Sequence, residues 1–250
     1  MGRMRTFVFA TALFVVLAGF GTVTAAPIQT NLYGLDGLFI GTTGTTIPAG
    51  ELVLGASMLM VSDDDVDGSV VPVTVTYGAT KYIEVAAAFE TIKSWDNGDE
   101  DETGTGDVHL LAKFSLQDRT VDYPATSVGV RVKLPMADEP LGTEETDFAI
   151  FGALDIQMRS VKGILNVEYV LAGGDYPNQV NYVVGLEIPY SDATDFSIEL
   201  LDQDIVGDMI MGGATFDLGS AVNFGVGVGI GLDEDTSADF GVMGKLDFTF

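Results

Sequence analysis

The chain has 250 residues, no cysteine, 31 glycines, 47% apolar residues and 19% charged ones, with a formal net charge of −26. That excludes a disulfide or thiolate-metal framework, and the sign of the charge excludes a basic nucleic-acid-binding surface. Mean hydropathy is too high for disorder, so the sequence is at once greasier and more acidic than an ordinary soluble domain.

Arg3 and Arg5 precede an apolar run from Phe7 to Phe20, followed by Val23-Thr24-Ala25-Ala26-Pro27. A basic start, a short apolar stretch and small residues before a cleavage point describe a secretory leader, residues 1–25, cut after Ala25. A spanning helix would need about 20 apolar residues. Removing the leader leaves nine basic residues against 37 acidic ones, a charge of −28. Residues 26–50 carry many Gly and Thr and little alternation, and read as a periplasmic or lumenal segment, more a mobile leader than a plug. Residues 51–250 form the remaining unit.

From there the pattern alternates at period two in segments of about ten residues separated by turn residues, the signature of strands. Twelve are read: 51–62, 69–78, 82–93, 107–116, 125–136, 147–158, 163–172, 180–189, 195–202, 209–218, 222–232 and 238–250. In the eleventh, Val222, Phe224, Val226, Val228, Ile230 and Leu232 oppose Asn223, Gly225, Gly227, Gly229 and Gly231. In the fifth, Val128, Val130, Val132 and Leu134 oppose Ser127, Gly129, Arg131 and Lys133. Pro135 and the glycines 104, 106 and 142 punctuate the loops.

A soluble sandwich alternates too, but three features favour a membrane barrel. About 9–11 tilted residues span a bilayer. The rows opposite the apolar ones carry Gly, Ser, Thr, Asn and isolated charges, the mix of a wet lumen. Connections after odd segments are acidic, whereas those after even segments are mostly shorter and hold Lys81, Arg119, Arg159 and Lys162. Tyr77, Tyr82, Trp95, Tyr123, Tyr182 and Tyr190 fall near segment ends, where interfacial girdles sit. A sheet in lipid must close, because an unpaired backbone group there costs several kcal/mol. The expected fold is all-β, a twelve-stranded antiparallel up-and-down transmembrane β-barrel with both ends on the periplasmic side of a Gram-negative outer membrane. Its lumen lies between the filled eight-stranded and open sixteen-stranded cases. The last segment resembles the C-terminal signature of bacterial outer-membrane barrels, with Phe248 and the terminal Phe250 as the assembly signal. The resemblance implies recognition by barrel-assembly machinery.

Two stretches, GDVHLLAKF at 106–114 and VGVRVKLPMADEPLGTEETDF at 128–148, resemble the outer-membrane transporters grouped as the meta-pathway phenol-degradation family. Gly37-Leu38-Phe39 through Pro48-Ala49-Gly50-Glu51 to Leu52 is similar to the approach to the first strand in such barrels. The resemblance implies a barrel of this size that passes small molecules, hydrophobic or aromatic ones included. It transfers no binding residue.

Candidate lumen-lining residues are Lys113, Arg131, Lys133 and His109 on the fourth and fifth segments, and Glu168, Glu187 and Glu199 on the seventh to ninth. Opposed charge across a narrow pore would create a transverse field favouring polar solutes; the alternative is that these charges pair and lock the wall. Asp63, Asp64, Asp65 and Asp67 are candidates for loose cation binding that would bridge to lipopolysaccharide. They lack the twelfth-position Glu and the helices of an EF-hand, and solvated surface charge is the blander reading. The inward carboxylates Glu84, Glu90, Asp107 and Asp155 leave a carboxylate site open. Hydrolase chemistry needs a nucleophile beside a base, yet His109 and Ser115 lie about 20 Å apart along one strand at ~3.3 Å per residue. No catalytic motif is present, so the reading is not an enzyme and calls for no cofactor. It is a channel for passive passage of small solutes, its partners being outer-membrane lipid, lipopolysaccharide and the assembly machinery, with no nucleic acid. A closed structural or adhesive barrel with acidic cation-binding loops is the alternative.

Overall fold

The computed structural model describes residues 28–63, 67–96, 101–120, 123–137, 141–174, 176–203, 207–232 and 238–250. The leader reading therefore lies outside the described residues. Among the described residues thirteen strands follow one another: β1 (Leu52–Ser62), β2 (Asp67–Thr80), β3 (Ile83–Asp96), β4 (Asp101–Gly104), β5 (Val108–Gln117), β6 (Ala125–Leu134), β7 (Asp147–Met158), β8 (Val161–Leu171), β9 (Gln179–Ser191), β10 (Thr194–Gln203), β11 (Gly207–Asp217), β12 (Val222–Gly231) and β13 (Phe240–Thr249). Each pairs antiparallel with its neighbours, and β1 pairs with both β2 and β13. The sheet thus closes into a twelve-stranded barrel, with β4 as a short extra piece on the far end of β3. Closure leaves the barrel wall without an edge, as lipid requires.

Residues 101–104 were expected to be acidic loop. They pair with Lys93–Asp96 as a hairpin that continues past the wall. Three of the four β4 residues are exposed, so neither face is buried, and an alternation signal depends on one buried face.

The apolar rows point outward. Leu110, Phe114, Val128, Val130, Val226, Val228 and Ile230 are all exposed on the barrel surface. Between them Ser127, Lys113, His109, Asn223 and Lys245 are buried inside. One end of the barrel carries short turns, including Lys81-Tyr82 and Arg159-Ser160. The N-terminal segment and Phe250 lie at this same turn end, where the amide of Ile28 donates to the Thr249 hydroxyl at 3.0 Å. The other, loop end holds the longer acidic connections. Tyr77, Tyr82, Tyr123 and Tyr190 ring the turn end, exposed, while Tyr182 and Phe240 lie toward the loop end.

The interior is not a wet tube. Residues 28–50 fold back into it. Leu32, Leu35, Leu38, Phe39, Ile40 and Ile47 are buried there. The mobile-leader expectation therefore gives way to a packed plug. The physical cause is in the segment itself. It has no hairpin or helix of its own beyond isolated bridges, Thr30 with Asp36 and Gly37 with Thr42. Its amides need partners, because a buried N–H left unpaired is costly, and polar side chains on the wall supply them.

Candidate functional site

The plug is held in two parts. The first is an anchor against β10–β13 and β1. Glu199 of β10 accepts three successive amides: Phe39 on Oε1 at 2.8 Å, and Ile40 and Gly41 on Oε2 at 3.1 and 2.9 Å. Asp247 of β13 accepts the amide of Thr30 at 3.0 Å and its hydroxyl at 2.6 Å. Lys245 donates to the carbonyls of Thr30 and Leu38 at 2.8 and 3.0 Å, with its Nζ 4.9 Å from the Phe39 ring centre. The Phe39 ring fills a hollow formed where Gly213, Gly225 and Gly227 have no side chain. From sequence the glycine row of the eleventh segment reads as a wet lumen lining. It is instead the seat of an aromatic ring. Beside it Leu32, Leu59, Val70, Leu201, Met209, Met211 and Met243 form a dry cluster.

The second part is a polar lip, residues 42–46, on the β3–β8 side. Asp36 Oδ2 accepts the hydroxyls of Thr43 and Thr45 at 2.6 and 2.7 Å. Glu84 of β3 accepts the amides of Asp36 and Ile47, both at 2.8 Å. Asp155 of β7 accepts the amide of Gly44 at 3.2 Å. Ser127 donates to the carbonyl of Thr43 at 3.3 Å, and Lys113 donates to the Asp36 carbonyl at 3.2 Å.

Above this lip, toward the loop end, lies a cavity of about 220 Å³. Tyr33, Leu35 and Thr42 of the plug contribute to its lining from below, and β3 and β5–β9 to its walls. Described residues between β6 and β7 border it. Asp107 Oδ1 accepts the amides of Met136 and Ala137 at 2.9 and 3.2 Å, and Leu141 and Thr143 line the cavity.

The residues singled out from sequence sort as follows. Lys113 pairs with Glu84 at 3.3 Å, both fully buried. Arg131 makes a two-toothed pair with Glu168, Nε to Oε1 at 2.9 Å and Nη2 to Oε2 at 2.7 Å. Lys133 is bonded to Asp147 and to the Thr143 hydroxyl. Glu187 pairs with Lys162 at 2.9 Å near the turn end. His109 faces Glu90 through Nε2 at 3.2 Å and Arg131 through Nδ1 at 3.5 Å, with its ring 4.4 Å from that of Tyr33. Neither ring nitrogen is turned to a hydroxyl nucleophile. The structure thus brings Arg131, Lys133, His109 and Glu168 to one cavity, and places Lys113, Glu187 and Glu199 elsewhere. Of the two readings of these charges, a transverse field or pairs that lock the wall, the structure has the pairs, each charge finding its partner one or two strands away or on the plug.

Asp63 and Asp67 are exposed beside the first loop; Asp64 and Asp65 lie outside the described residues. No group of three metal-ligating side chains gathers among the described residues. Phe248 pairs in register with Leu54 and Val222, and Phe250 exchanges backbone hydrogen bonds with Leu52. Sequence reasoning passed over Asp247 and Lys245 as site residues, and weighed Glu84 and Asp155 only as candidates for chemistry. The available signal was a short apolar run, Leu38-Phe39-Ile40, flanked by Gly37 and Gly41.

Comparison by sequence alone finds no match, neither to a protein-family model nor to a curated protein. Solved structures do match in fold. The COG4313 outer membrane channel from Pseudomonas putida F1 superposes with a TM-score of 0.65 at 12% identity, over 82% of this chain and 97% of that one. The KdgM porin gives 0.56 at 8% identity, over 79% and 99%. The same porin in complex with disordered oligogalacturonate gives 0.54 at 9% identity, over 80% and 99%. The fold is therefore that of outer-membrane channels.

Proposed function

We propose that the chain is an outer-membrane channel for passive passage of small molecules, carried to its membrane by the N-terminal leader and narrowed by residues 28–50. The observation that carries this reading is the stacking of a polar cavity directly over the polar lip, on the same side of the lumen. A route through β3–β8 would open if the lip shifted while the Phe39 anchor stayed seated. The likeness in fold to two kinds of outer membrane channel supports the same reading. The terminal strand, closing on β1 with Phe248 and Phe250, is the segment that assembly machinery would engage, and the outward apolar rows meet lipid and lipopolysaccharide. The family resemblance points to aromatic or hydrophobic solutes, whereas the cavity lining carries the paired charges of Lys93, Arg131 and Lys133, which favours polar ones.

Planar-bilayer recording and liposome swelling on the full chain, beside a Thr43→Val/Thr45→Val variant, test the reading. Small conductance steps that grow in the variant are expected. Silence in both proteins would overturn it and favour the second reading, a closed structural barrel. The density of hydrogen bonds that hold the plug is the observation in favour of that alternative.

A further inference from the structure

We propose that the outer cavity is a binding site for a neutral, hydroxyl-rich solute of about monosaccharide size. The inference deepens the channel reading. It rests on that reading for the solute's onward passage, not for its binding.

Of the nine basic residues left after the leader, six lie toward the turn end: Lys81, Lys113, Arg119, Arg159, Lys162 and Lys245. The other three, Lys93, Arg131 and Lys133, all line the cavity. Each has a carboxylate partner there: Glu90 at 3.5 Å, Glu168 at 2.7 Å, and Asp147. The lining holds a fourth carboxylate, Asp107, which is buried, accepts the amides of Met136 and Ala137 and lies 4.0 Å from Lys133, so a charged solute of either sign meets groups that already have partners. To gain a counter-ion it must break a pair and orphan the partner, which is costly in a confined site.

An apolar solute fares no better. Arg131 and Glu168 keep 16% and 14% of their side chains exposed, and Lys133 and Asp147 keep 14% and 19%. Covering these pairs with hydrocarbon strips their remaining water without replacement. A hydroxyl group can do what hydrocarbon cannot. It donates to a carboxylate and accepts from a guanidinium or ammonium, and such charge-assisted bonds are the stronger kind. The ion pairs stay intact. Asn166 and Asn181 add amide groups to the same lining, and Asn181 already donates to Glu168 at 3.1 Å.

The cavity also has an apolar side. Leu35, Leu111 and Phe151 form one buried cluster with Tyr33 against it. A sugar ring has this duality, hydroxyls around its rim and C–H bonds on its face. A volume of about 220 Å³ holds roughly seven waters at about 30 Å³ each, which is the scale of one hexose.

The test is calorimetric titration of the detergent-solubilised full chain with four probes: glucose, glucuronate, glucosamine and phenol. Glucose is expected to bind at least tenfold more tightly than the other three. Tighter binding of a charged probe or of phenol overturns the proposal, as does an absence of binding by all four. In an Arg131→Met/Glu168→Met variant, which removes the pair without orphaning a charge, glucose binding should weaken at least tenfold. Unchanged binding there also overturns it. The swapped pair, Arg131→Glu/Glu168→Arg, should keep binding within about threefold, and heat-modifiable gel mobility reports that each variant barrel is folded. Binding without conductance would sink the channel reading and leave the site standing. Conductance without binding would do the reverse.

Discussion

The ring of Phe39 occupies the space that a side chain at Gly213 would need: a Cβ built there overlaps the ring edge. One aromatic residue from an irregular segment and one glycine from β11 therefore fix how deep the plug sits. The same glycine row offers an internal control, since a Cβ at Gly227 would lie 3.5 Å from the ring, in ordinary contact.

Gly213→Ala should unseat Phe39 and raise single-channel conductance, whereas Gly227→Ala should leave it near the wild-type value. Phe39→Ala removes the ring altogether, at a local cost of about 3–5 kcal/mol. It should open the channel without melting the barrel. Bilayer recording beside urea unfolding separates the two effects. Equal behaviour of the two glycine variants would refute the seating argument.

Glu199→Gln replaces a carboxylate that takes three amides with a group offering one carbonyl oxygen. At least one of the amides at Phe39, Ile40 and Gly41 then loses its partner, a penalty of about 1–3 kcal/mol for each buried donor left unsatisfied. Hydrogen exchange should speed up at these three positions and stay slow in the β10 ladder. Uniform protection across both would count against Glu199 as an anchor.

The two buried-wall pairs of the turn end should differ sharply. Lys113 and Glu84 are both fully buried, so Lys113→Met leaves an unmatched carboxylate, a loss of about 3–5 kcal/mol. Arg119 is one-third exposed beside buried Asp155, and its side of the pair is open to solvent and salt, so Arg119→Met should cost less than Lys113→Met. Urea midpoints of the folded barrel compare them directly.

The acidic loops make a prediction about salt. With a formal net charge of −26 on the chain, the acidic loop end should enrich cations at the mouth. Reversal potentials should show cation preference at about 0.1 M salt, where the Debye length is about 10 Å. The preference should fade at 1 M, where that length is about 3 Å. Anionic solutes should enter slowly at the lower salt. Selectivity that ignores ionic strength would speak against a role for the loops.

The sequence by itself determined the wall. Period-two alternation forces the row with Val226, Val228 and Ile230 to one face and the row with Gly225, Gly227 and Gly229 to the other, and closure follows because hydrocarbon tolerates no open edge. The sorting of acidic and basic connections is likewise written along the chain. What filled the barrel was decided only in three dimensions. Residues 28–50 have no periodicity to read, since their amides are satisfied by Glu84, Asp155, Glu199 and Asp247, which lie up to more than 200 positions away. For the same reason the inward charges could be listed but not matched: Arg131 and Glu168 meet two strands apart, across β7, and no local spacing announces that pairing.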